Sequence, residues 1–174
     1  TGPDTGTLSG VTSGMKYRID GGEWIDIDGN TLNLTELTAC TIKIVRKGNG
    51  TTTIDSEEQT ITVSKAATPT VSKADCTTLA NNDGKLIGVT SAMEYKRSTD
   101  SDWTDGTDSD ITDLVNGTYL VRAKANGTTL ASDPQIITIV AYGATQETQP
   151  TATFIATGPD TGTLSGVTSG MKYR

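Results

Sequence analysis

Residues 1–18 read TGPDTGTLSGVTSGMKYR, and residues 157–174 repeat them letter for letter. An identity of 18 residues does not arise by chance, so the chain has a period of 156 residues. It must fold as one full period followed by the start of another. Either it was cut from an array of near-identical units or one end was duplicated by design, and the array is the favoured reading.

A second, looser repeat lies inside the period. GTLSGVTSGMKYR (6–18) aligns with GKLIGVTSAMEYKR (84–97), placing Met15 over Met93 and Tyr17 over Tyr95. Trp24 falls opposite Trp103 after one inserted residue, and Leu37 falls opposite Leu114. KGNGTT (47–52) lies opposite KANGTT (124–129), and QTITV (59–63) opposite QIITI (135–139). The period therefore holds two related modules, 1–66 and 67–142. A polar linker follows at 143–150, and 151–174 open the next repeat.

Within each module the hydrophobic period is two. Met15, Tyr17 and Ile19 alternate with Lys16, Arg18 and Asp20, which predicts a strand with one buried face. Asp20-Gly21-Gly22 then signals a hairpin into a strand around Trp24–Ile27, and Gly48-Asn49-Gly50 a tight turn. No stretch of ten residues carries a helical stripe. The 34 Thr support the same conclusion, since Thr suits a half-exposed pleated surface. Short strands with turns every 8–12 residues predict an all-β antiparallel sandwich.

The repeated layout GVTSGMKYRIDGGEW…GNGTT…QTITV resembles the tandem immunoglobulin-like repeats of large bacterial cell-surface proteins, especially Gram-positive ones. The resemblance spans both modules and implies an extracellular stalk, adhesin or surface-layer component. It carries no particular binding residue.

The ends suggest how copies could join. TATFIA (151–156) reads as a strand, and its counterpart before the second module is Thr70-Val71-Ser72. The first module, beginning at Thr1, shows no such opening strand. The segment bearing Thr151, Thr153, Phe154 and Ile155 is thus a candidate assembly element, able to complete the first module of a neighbouring copy.

Other chemistry is sparse. The chain has no His, which excludes a Ser-His-Asp triad and imidazole metal sites, and no other motif points to an enzyme. A net charge of −7 gives no footprint for nucleic acid, and no apolar run approaches the length of a membrane span. Asp102, Asp105, Asp108 and Asp110 crowd one acidic stretch whose oxygen ligands could suit calcium, although the closing Glu of an EF-hand loop is absent. No other cofactor is expected. Trp24 and Trp103 are expected at the module core centres; alternatively an exposed Trp103 could stack on a glycan, making the chain an adhesin or carbohydrate-binding module for a host surface. Cys40 and Cys76 occupy non-equivalent positions, leaving either a bridge between modules or two free thiols.

Overall fold

The structure is a computed structural model and describes residues 4–172; residues 1–3 and 173–174 of the duplicated stretch lie outside the described residues. The period-two patterning folds into short strands, and no helix occurs among the described residues. The protein is all-β, built as antiparallel sheets packed face to face. The chain divides into two compact units, Thr1–Tyr142 and Gly143–Arg174.

The first module contributes β1 (Gly6–Ser9), β2 (Met15–Ile19), β3 (Ile25–Asp26), β4 (Thr31–Leu34), β5 (Cys40–Arg46) and β6 (Gln59–Lys65). The second contributes β7 (Ser72–Ala74), β8 (Gly84–Ile87), β9 (Met93–Arg97), β10 (Thr104–Asp105), β11 (Ile111–Leu114), β12 (Gly117–Ala123), β13 (Thr129–Leu130) and β14 (Gln135–Ile139). In the first module β1 and β4 face a sheet of order β3-β2-β5-β6; in the second, β11-β8-β7 faces β10-β9-β12-β14. Equivalent strands occupy equivalent places, as the internal repeat requires.

Each module has its own core. Ile27, Ile42 and Ile44 lie at the centre of the first, with Met15, Tyr17 and Ile19 all turned towards it as the alternation predicts. Leu86, Val121 and Ile139 centre the second. Each such aliphatic, taken fully from water, contributes about 1.5–3 kcal/mol. The β2–β3 hairpin turns on Asp20 (φ 47°) and Gly21 (φ 76°), and the Gly22 N–H donates to the Ile19 carbonyl at 2.8 Å. Two successive positive φ angles make the mirror-image turn that matches strand twist, which explains Asp-Gly here.

Two sequence expectations differ from the structure. Gly48-Asn49-Gly50 is no tight turn but the start of a loop running to residue 58. The Asn49 Oδ1 accepts the N–H groups of Thr51, Thr52 and Thr53 at 3.0, 2.8 and 2.9 Å, so one side chain satisfies the backbone of a longer loop. The two tryptophans belong to neither core. Both are half-buried on the outer face of a sheet, Trp24 over Arg18 and Lys16, and Trp103 over Arg122 and Lys96. The cations of alternate strand positions offer the indole a face that an aliphatic core does not.

The second unit is a hairpin of β15 (Thr153–Gly158) and β16 (Thr161–Ser165). Its pairs include Thr153 with Ser165, Phe154 with Leu164 and Ile155 with Thr163.

Candidate functional site

The modules differ at one sheet edge. In the second, β8 is central: it pairs with β11 on one side and β7 on the other. Ser72 opposes Ile87, and Lys73 opposes Leu86. In the first, the equivalent strand β1 pairs with β4, and among the described residues no strand takes its other edge. A free edge is a row of unpaired backbone groups that can template another strand.

The opening segment of the second module is pinned by two carboxylates. Asp75 accepts from the Lys73 ammonium and from the Val140 N–H at 2.7 Å, while Asp83 accepts from the Thr77 hydroxyl and N–H. The Lys73 hydrogen bond holds the Asp75 pKa below the ordinary carboxylate value, and the Thr77 hydroxyl does the same for Asp83. A depressed folded-state pKa gives stability that is present above the unfolded value, near 3.9, and lost as pH falls through the folded one. The denaturation midpoint of the second module is therefore expected to hold steady from about pH 7 to pH 5 and to fall below about pH 4. Urea titrations across that range check this, and Asp83→Asn should flatten the acid limb.

The first module borrows what the second supplies for itself. At the end of β14, the Cys76 N–H donates to the Val140 carbonyl and the Cys76 side chain packs into the core. At the end of β6 the equivalent place is taken by β13, reached through the turn at Asn126-Gly127 of the second module. β13 runs parallel to β6, with Thr129 beside Ser64 and Leu130 beside Lys65. The Ser64 and Ala66 N–H groups donate to the Thr128 and Leu130 carbonyls, each at 3.0 Å. Leu130, 5% exposed, belongs to the core of the first module. Lys65 bridges to Asp133 at 2.7 Å and to Asp4 at 3.4 Å, and the bond to Asp133 is the main cause of its raised pKa. Sequence reasoning missed this joint. The available signal was an apolar residue, Leu130, directly after NGTT, where the first module has the polar Thr53.

The hairpin exposes what a module normally buries. Residues 162–167 duplicate 6–11, and in the first module Leu8 and Val11 are 9% and 4% exposed. Their duplicates Leu164 and Val167 are 44% and 50% exposed, beside Phe154 at 66% and Ile155 at 59%. Leu164, Val167 and Phe154 border an open groove that also includes Met171. Of the candidate assembly residues, Thr153, Phe154 and Ile155 lie on β15, while Thr151 precedes it and is exposed.

The acidic stretch does not converge. Asp105 pairs with Lys124 at 3.1 Å, Asp108 accepts the Ser91 N–H at 2.6 Å, and Asp102 accepts from the Ser101 hydroxyl. Asp110 receives the Gly88 N–H at 3.4 Å. Among the described residues no three His, Cys, Asp or Glu stand close enough to share a metal ion. Trp103 is half-buried, with the Arg122 guanidinium 4.0 Å from its ring centroid. Cys40 and Cys76 are buried free thiols in separate cores, and burial, with help from Asp20, pushes the Cys40 pKa up.

No protein-family model matches the chain, and no curated protein sequence matches it.

Proposed function

We propose that this chain is a structural repeat of an extracellular bacterial surface protein or fibre, immunoglobulin-like in its modules, whose copies join by strand complementation through residues 151–174. In this reading it is a spacer that catalyses nothing, and its partners are neighbouring copies of itself. One observation carries the reading. Leu8 and Val11 are buried in the core of the first module, whereas their duplicates Leu164 and Val167 stand exposed on a hairpin whose other strand is β15, and among the described residues no strand takes the other edge of β1.

The energetics favour exchange. A lone two-stranded hairpin is marginal in water, so releasing β15 from β16 costs little. Pairing β15 with β1 of a neighbour adds a ladder to a packed module and removes Phe154 from solvent. In a longer parent chain the same strand would open the next module. The adhesin alternative rests on Trp103, whose ring is already engaged by Arg122.

Molar mass by light scattering over a hundredfold concentration range tests this. Mass is expected to rise in whole-subunit steps, and deletion of residues 151–174 is expected to abolish the rise while both modules stay folded. A constant monomer mass for the full chain would refute assembly.

A further inference from the structure

Gly6, Gly84 and Gly162 are the same position in three copies of one strand, and they differ in what covers them. A Cβ on Gly84 would lie 2.6 Å from Ile139 Cγ2 of the opposing sheet. A Cβ on Gly162 would run into the Phe154 ring, which rests on the bare glycine backbone of the hairpin. A Cβ on Gly6 would meet only Leu37 Cδ1, at 3.2 Å.

The cause of the vacancy is in the sequence. The first module has Val63 where the second has Ile139, one methylene shorter, and it has no covering strand among the described residues. The result is an open-mouthed cavity of about 120 Å³ between β1, β6 and the turn leading into β13, with Gly6, Leu8, Leu37, Val63 and Leu130 on its apolar side and Thr7, Thr128 and Thr129 at its polar side. Its size is comparable with the ~150 Å³ apolar cavity that accepts a benzene ring.

We infer that this cavity is the seat for Phe154 of a second copy of the chain, whose ring covers Gly6 and fixes the register of the incoming strand. The inference rests on the assembly reading above and names its anchor. The template for it is internal. β16 has the sequence of β1, and β15 pairs with β16 so that Phe154 opposes Leu164 and lies over Gly162. Transferred to β1, the same register sets Phe154 opposite Leu8 and over Gly6. Aromatic cover of a sheet glycine is a known way of pinning register. A slip of one residue would turn the ring to solvent and bring Ile155 inward over a different pair, so the seat excludes that slip.

The second module cannot compete for the same strand. Its edge is held by β7, with Lys73 at the position Phe154 would take, and Ile139 fills the space over Gly84. The seat is therefore particular to the first module, which makes joining directional.

Three variants of the full chain, compared by light scattering, test the anchor. Phe154→Ala removes the ring, and Gly6→Ala puts a methyl where the ring would rest while leaving Gly162 unchanged. Each is expected to raise the concentration needed for assembly by about 30-fold or more, the loss of one aromatic hot spot. Ile54→Ala, which removes an exposed aliphatic from the loop after β5, is expected to leave assembly unchanged. Thermal unfolding of Gly6→Ala should stay cooperative and close to the parent's, since only the end of the Leu37 side chain has to give way. If deletion of 151–174 abolishes assembly but Phe154→Ala and Gly6→Ala do not weaken it, strand complementation stands and the Phe154 seat is refuted. If the deletion has no effect, the assembly reading itself fails and this inference falls with it.

Discussion

Replacing Leu130 by alanine is expected to remove about 2–5 kcal/mol from the first module, although Leu130 belongs to the sequence of the second. The side chain is 5% exposed and packs with Leu8, Leu37 and Val63. It adjoins an existing cavity, so the surroundings have room but little material with which to collapse into the new void. The cost should therefore sit in the upper part of that range. Amide hydrogen exchange locates the damage. Protection at Ile42 and Ile44 on β5 should fall by orders of magnitude, while Val121 on β12 should change little. Unchanged protection on β5 would mean that β13 lies on the first module without supporting it. Lys65→Ala, by contrast, removes ion pairs to exposed carboxylates and should matter far less.

The contrast between Leu130 and Met15 shows what a sequence of this kind discloses. Met15, Tyr17 and Ile19 were readable because alternation by two survives only when one face is buried, and the structure buries that face. The likeness of the two halves was readable because their residues repeat, and β2-β5-β6 and β9-β12-β14 pair in the same order. Leu130 was not, because its role comes from a strand pairing between residues 65 apart, with no local pattern to announce it. Trp24 and Trp103 were misplaced for a related reason. Hydrophobicity says that an indole will be covered but not from which side, and the deciding partners are cations on a neighbouring strand. The candidate assembly segment was legible as a strand and as a duplicate. The uncovered Gly6 was not, since its vacancy depends on one methylene across the sandwich.

The outer face beneath Trp103 yields the second large effect. Glu94 and Arg122 are cross-strand partners whose side chains are 17% and 11% exposed, bonded at 2.6 Å. Glu94→Ala leaves the Arg122 guanidinium covered by the indole without a carboxylate, which is expected to cost the second module about 3 kcal/mol. Glu94→Lys should be worse, because it adds an ammonium beside the stranded cation. The first module shows how to repair this. At the same register it has Lys16 opposite Val45, and Val45 is 4% exposed under the corresponding surface. Combining Glu94→Lys with Arg122→Val imports the cross-strand Lys–Val pair, but not the Asp55 carboxylate that holds Lys16 at 2.7 Å nor the Arg18 guanidinium over the indole. The double variant is expected to recover part of the loss, since Arg122→Val removes the stranded guanidinium and a lysine at position 94 can carry its ammonium to solvent. Urea denaturation of the single and double variants gives the coupling directly. Additive losses in the double variant would show that the pair is independent, and that the two modules hold their tryptophans by unrelated means.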